Sequence, residues 1–570
     1  MQYDRRALVL MPLAALVAVL PLIVQGCSCG HDFDFHLLSW IEAAKQFSHG
    51  NLHPHWAFTP AFNAGEPRFV FYPPISWVVG ALLGLILTHL PGVSEAAGWT
   101  AATTLFTWIT LTASGLAIHR LARAFATPNA ALLAAVLYLA NPYMLFTAYE
   151  RSADAELLAA VWIPLLLLAI LRDRVTISRI ALPLALLWLT NAPAGVMGSY
   201  TLALLAAIRV IRTAARRDDT LPLILKTIGG TVLGLGMAAF YIIPAALERR
   251  YVQIDMATIA GMRVDDNFLF GHTGTSVDAL LHDEVLRTAS WIAVILLIAT
   301  AAALAAQFIF RKSMPPNQGA LAAPVAMPPV LPLAILATVI GFMLTPWSLP
   351  LWHHAPQAAF LQFPWRLLAV LGAVLALAAA GALSRLHLNF AMAGAAALML
   401  AAALAFPANH VFRQSCDSTD TAAARVALFH STAGTDPTDE YTPANADNDA
   451  LKTTDPPYWL ADSASVPAPV AAAPGPTPSH LTISATHAED LILNLRDYPA
   501  WRVLLNGKTD AERQQRDDGL IAFAIPAGAS TIDIRYAQMP DQTVGDAVTL
   551  LALALLLLSL RTDLRTRRVG

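Results

Sequence analysis

Four ionisable side chains are packed into one heptapeptide, Gly30-His31-Asp32-Phe33-Asp34-Phe35-His36. Two carboxylates and two imidazoles this close can move a proton. A carboxylate accepts it, and an adjacent imidazole orients that carboxylate or shares the proton. If a helix starts at Asp32, then Asp32 and His36 stand at i and i+4 on one face. The competing reading is structural, with Asp32 or Asp34 as the N-cap of an interfacial helix. Two acids and two histidines at the exit of an apolar run favour chemistry. Asp32 is the first candidate base, Asp34 the second, His36 their partner and His31 a substrate contact.

Two further clusters could work with this one. Tyr149-Glu150-Arg151-Ser152-Ala153-Asp154-Ala155-Glu156 carries four charges between two apolar runs. Glu156 falls in the first turn of the following helix, where the helix dipole favours a carboxylate. Its functional reading, with Glu150 and Arg151, is that it faces the same cavity as Asp32. Gln362-Phe363-Pro364-Trp365-Arg366 places an arginine beside a tryptophan at the start of another apolar run. Arg366 either snorkels to lipid headgroups or offers a guanidinium fork to a phosphate. Arg249 and Arg250 break the charge pattern described below, and Arg250 joins the candidate phosphate ligands.

His49, His53 and His55 read as exposed or hydrogen-bonded histidines rather than as metal ligands. No residue is assigned to a metal. No cofactor is required, though a divalent metal is compatible with the carboxylates. There is no Walker loop, no G-x-G-x-x-G after a strand and no H-E-x-x-H. Nucleotide hydrolysis, redox cofactors and nucleic-acid binding therefore have no support.

The elements that must position these residues lie mostly in lipid. Of 570 residues, 56% are hydrophobic and only 13% charged, against about 25% charged in soluble domains. Apolar runs long enough to span occur at 7–26, 99–119, 129–147, 155–171, 177–192, 194–211, 221–246, 288–310, 328–346, 365–384, 389–406 and 542–560. These predict about twelve spans. Basic clusters at Arg5-Arg6, 119–123, 172–174, 209–217, Arg311-Lys312, Arg385 and 561–568 all fall on one side if the run 75–90 does not cross. The positive-inside rule then makes that side cytoplasmic. Both termini are expected there, and 75–90 is expected to be a juxtamembrane or re-entrant helix within a long outer loop, 27–98.

The fold class expected is a polytopic α-helical membrane protein with a small extracytoplasmic β domain near the C-terminus. Residues 1–406 form the membrane domain. Residues 407–480, rich in Ala, Thr, Asp and Pro, are expected to be flexible. Residues 481–541 alternate in polarity, with Asn506-Gly507, Asp518-Gly519 and Pro526-Ala527-Gly528 as turns, and read as antiparallel β structure. Residues 542–570 supply the last span and a basic tail. One disulfide is possible, joining Cys27 or Cys29 to Cys416.

These motifs resemble a known group. The 30–36 segment is similar to the G-H-D-x-x-F-H start of bacterial membrane proteins termed 6-pyruvoyl-tetrahydropterin-synthase-related. Tyr149-Glu150-Arg151 through Glu156 resembles their Y-x-R-x-x-x-x-E segment, and Phe363-Pro364-Trp365-Arg366 their F-P-W-R. Tyr498-Pro499-Ala500-Trp501-Arg502-Val503 with Asn506-Gly507-Lys508 is similar to the P-G-W-x-V…D-G-K stretch of YfhO-like proteins, although Asn506 stands where an Asp is expected. The resemblance implies the GT-C superfamily of membrane glycosyltransferases, with a key acid in the first outer loop and another in the next. It implies a polyprenyl-phosphate-linked sugar as donor, an envelope glycan, lipid or protein as acceptor, and the bacterial inner membrane as location. The alternative is a non-enzymatic flippase or scaffold for envelope glycan assembly.

Overall fold

The structure is a computed structural model that describes residues 4–312, 329–386, 388–461, 475–509 and 512–569. The proline-rich run 466–474 lies outside the described residues. So do the side chains of Arg311, Lys312 and the basic residues beyond Arg561.

Among the described residues, nine helices are long and apolar enough to cross a membrane, and eleven if two bent pairs each count as one. The chain is a multi-pass membrane protein. The bends are 71° between Leu221–Met237 and Ala239–Tyr251 and 96° between Val330–Met343 and Pro346–His354. The expected span at 177–192 is the shorter helix Ile177–Thr190, stopped at Asn191, whose side chain instead caps Ala192–Ala215.

The run 75–90 forms Pro74–Thr88, 15 residues long. Such a helix rises about 22 Å, short of a bilayer core of about 30 Å. Gly80 and Gly84 let it lie flat on two tryptophans, since a Cβ would come within 2.0 Å of Trp40 and of Trp99. Its other face leaves Leu82 and Ile86 exposed, as a lipid-facing surface requires.

Five connections gather at one end of the bundle. Gln414 N donates to Ser28 Oγ (2.9 Å), Asp32 N to Arg151 O (2.8 Å), Gln362 Nε2 to Ala257 O (2.5 Å) and Gln253 N to Thr442 O (2.9 Å). The opposite end carries the basic clusters. There Thr127 N donates to Ser384 Oγ (3.0 Å), and Arg6 stacks on Phe390.

The β domain has two four-stranded sheets packed on a shared core that includes Leu491, Trp501, Phe523 and Ile532. The Trp501–Leu505 and Lys508–Thr509 strands pair through Asn506-Gly507. Both turn residues have positive φ, 52° and 74°, the two-residue geometry that Asn-Gly favours. Buried Tyr498 fastens the domain to the bundle. Its hydroxyl donates to Glu248, whose other oxygen accepts from Gln542 Nε2 at 2.9 Å.

Described residues within 407–480 pack onto the rest of the chain. Cys29 and Cys416 form a disulfide. The helix Ala422–Phe429 buries Ala422, Val426 and Phe429 against the 27–98 connection. Gly434 sits where a Cβ would meet the Asn63 backbone at 2.6 Å. Polar, proline-rich chain cannot build its own core, but here it borrows one from another segment.

Candidate functional site

The site begins with a backbone contact. Gly30 lies against residues 150–152, and a Cβ there would fall 2.4 Å from Glu150 O and 2.7 Å from Arg151 C. Gly30 N donates to Ser152 Oγ (3.2 Å), which donates to Ser28 O (3.0 Å). Two loops far apart in sequence are thereby locked in register, and Asp32 is delivered to Arg151. Gly30→Ala must spread this contact. Overpacking of this kind costs about 1–3 kcal/mol, read as a lowered thermal midpoint with reduced activity.

Asp32 occupies the N-cap position of Phe33–Ser48, yet its side chain makes no capping bond. Its carboxylate instead lies 3.8 Å from Arg151 Nη2 and is 43% exposed. Below it, Glu156 gathers three partners. Arg151 Nη1 reaches Glu156 Oε2 at 2.6 Å, Arg366 Nε stands 3.3 Å from the same oxygen, and Tyr143 OH donates to Oε1. The carboxylate is 3% exposed, the arginines 6% and 10%. Burial opposes the Arg151 cation, but Glu156 and Asp32 outweigh it and raise its pKa above the ordinary guanidinium value. Arg151 also stacks on Trp365 and Arg366 on Phe363. Arg366 Nη1 donates to Leu361 O (2.9 Å) and Gln362 Oε1 (3.2 Å).

Above this network opens a cavity of about 760 Å³. Its wall includes His31, Asp32, Asp34, Arg151 and Arg366. Glu156 lies beneath the wall, holding the two arginines. Behind the 361–367 segment runs a second hollow of about 450 Å³, lined by apolar residues such as Met197, Leu204, Ile340, Met343, Leu361 and Leu367. One chain segment thus separates an ionic cavity from an apolar groove.

Three candidates stand off the cavity wall. His36 is 2% exposed and ringed by Phe35, Trp40 and Tyr72. Burial lowers its pKa from 6.5 to about 4, against the opposing pull of Asp32, so it is neutral at ordinary pH. The unfolded chain takes up a proton below pH 6.5 that the folded chain refuses until about 4. Stability must therefore fall as pH drops across that window, by up to about 3 kcal/mol from this group. Thermal midpoints across the window should fall less steeply in His36→Phe. Glu150 is half-buried; burial raises its pKa, opposed by a hydrogen bond from Gln414. Arg250 is exposed, donates to Tyr251 OH (2.8 Å) and lines a hollow at the base of the β domain instead.

The rings of His53 and His55 lie 4.4 Å apart, tilted by 50°, and His55 stacks on Tyr536. Burial depresses the pKa of both, that of His55 to about 4. No group of three or more His, Cys, Asp or Glu among the described residues is placed to hold a metal.

Sequence reasoning missed two wall residues, Arg68 and Arg425, and one support beneath the wall, Tyr143. Arg68 is held by Glu66 (2.7 Å), Ser39 (3.1 Å) and Thr438 (3.1 Å) and stacks on Phe35. Arg425 reaches Asp420 at 2.9 Å and Asp34 at 3.8 Å. Tyr143 is the third partner of Glu156. An arginine buried inside an apolar, loop-rich segment was the one available signal for Arg68. Nothing local distinguishes Arg425 or Tyr143.

No family model and no curated protein matches this chain. Solved structures that resemble it include two transferases. One is the apo oligosaccharyltransferase of Archaeoglobus fulgidus, at 14% identity and TM-score 0.40, covering 72% of this chain and 57% of that one. The other is the arabinofuranosyltransferase AftD from Mycobacteria, at 19% identity and TM-score 0.41, covering 72% of this chain and 27% of that one. The chain thus spans 57% and 27% of the lengths of these proteins. Likenesses of this strength fix neither a family nor an activity.

Proposed function

We propose that this protein is an inverting membrane glycosyltransferase of the GT-C kind. It moves a sugar from a polyprenyl-phosphate donor to an envelope acceptor at the membrane face that carries the β domain. That face is the outer face of a bacterial inner membrane, with both termini cytoplasmic. The observation that carries the reading is the pairing of an ionic cavity with an apolar groove across residues 361–367. A lipid-linked sugar phosphate has the same division: an apolar tail, one anionic joint and a polar sugar. The tail occupies the groove, and the phosphate meets Arg366 and Arg151. Asp32 then accepts the proton of an acceptor hydroxyl. The hydroxyl oxygen bonds to the anomeric carbon as the carbon–phosphate oxygen bond breaks, and the electron pair leaves on the phosphate. Guanidinium groups in a water-poor site stabilise that departing charge far better than solvent does. Glu156, Tyr143 and the stacked rings position the arginines.

Mass analysis of envelope glycans in a deletion strain tests this. A missing sugar, restored by the wild-type gene, is the expected result. Glycans identical in deletion and parent strains would count against transfer.

A further inference from the structure

At the end of the bundle away from the β domain, a hollow of about 600 Å³ is lined by six arginines and one acid, Asp173. The arginines come from three places. Arg172 and Arg174 flank Asp173 in the connection after Trp162–Leu171, and Arg179 lies in the first turn of Ile177–Thr190. Arg209, Arg212 and Arg216 follow at i, i+3 and i+7 along one face of Ala192–Ala215 and its C-cap. Arg209 is structural. Its Nη1 donates to Ile170 O and Arg172 O, which pins the 172–174 connection to this helix. Arg174, Arg212 and Arg216 are exposed around the opening. Beneath them the hollow is apolar, with Phe125, Leu171 and Pro332 buried in its floor. The three exposed guanidinium groups of Arg174, Arg212 and Arg216 around one opening make a positive potential that attracts an anion.

We propose that this hollow is a phosphate-binding site that takes the headgroup of an anionic phospholipid. The cationic rim binds the phosphate and the apolar floor accepts the glycerol and upper chains; basic pockets between spanning helices bind lipid headgroups in this way. The site is separate from the transferase cavity and stands or falls independently of that reading.

The test uses the full-length protein in phosphatidylcholine nanodiscs doped with phosphatidylglycerol, with co-isolated lipid counted by native mass spectrometry. Arg174→Gln/Arg212→Gln removes two rim charges. Arg5→Gln/Lys226→Gln removes two exposed charges from the same end but outside the hollow. The pocket variant is expected to hold phosphatidylglycerol about thirty-fold more weakly than wild type, and the control variant to match wild type. Equal losses in both variants would overturn the site in favour of diffuse surface charge. Unchanged retention in the pocket variant would overturn it outright. Inorganic phosphate is the second arm. Failure of phosphate to displace the lipid supports the lipid source, whereas displacement at comparable affinity overturns the lipid assignment in favour of a soluble phosphate. Arg212→Gln alone, with a smaller expected loss, serves if the double variant does not fold.

Discussion

Asp32→Asn is expected to leave the protein folded and donor-competent while cutting turnover by roughly 10²–10⁴, the range a general base contributes. The substitution keeps size and shape and removes the capacity to accept a proton. Little stability should be lost, because Asp32 makes no capping bond and is 43% exposed, 3.8 Å from its arginine. The readout is kcat against KM for a lipid-linked sugar. A fall in kcat with KM retained fits a base. Wild-type turnover in the variant would remove Asp32 from the chemistry and leave it as a counter-charge for Arg151.

Glu156→Gln is expected to act in the opposite way, on stability first. The wild-type carboxylate holds two guanidinium groups that are almost fully buried. Without its charge, two buried cations share only the more distant Asp32. Breaking a buried ion pair from one side costs about 3–5 kcal/mol. A depressed thermal midpoint in detergent is the measurement. Arg366→Gln combined with Glu156→Gln should restore part of the loss, because the second change removes the orphaned cation. A single variant as stable as wild type would mean that the arginines do not depend on Glu156.

Much of the frame is legible in the sequence because the bilayer imposes long-range order on local pattern. Span length and the side preference of arginines were enough to gather the five connections that carry few basic residues at one end. They also singled out 75–90 as an anomaly, resolved as a 15-residue helix lying on Trp40 and Trp99. The β strands were legible because alternation and Asn-Gly turns are local signals. Cys29 and Cys416 form one of the two pairings left open.

The site was legible in its principal charges and not in its supports. Asp32, Arg151, Glu156 and Arg366 stand out because charged residues beside apolar runs are costly unless paired. Their pairing depends on which helix faces meet, and no spacing encodes that. His36 shows the limit clearly. Its i, i+4 relation to Asp32 suggested a catalytic partner, but the helix turns it inward among Phe35, Trp40 and Tyr72. The 407–480 segment shows a related limit: composition reports what a segment can bury alone, not what it can share.

The proposed transfer requires a lipid-linked phosphate to sit against Arg366 with its tail in the neighbouring groove. Photo-crosslinking with a polyprenyl phosphate that carries a diazirine beside the phosphate, mapped by peptide mass spectrometry, tests it most directly. Crosslinks are expected at Leu361–Leu367 and on the facing turns of Ala192–Ala215 and Val330–Met343, and should be lost in Arg366→Gln. Crosslinks spread evenly over the lipid-facing helices, or confined to the arginine-rich end, would contradict it.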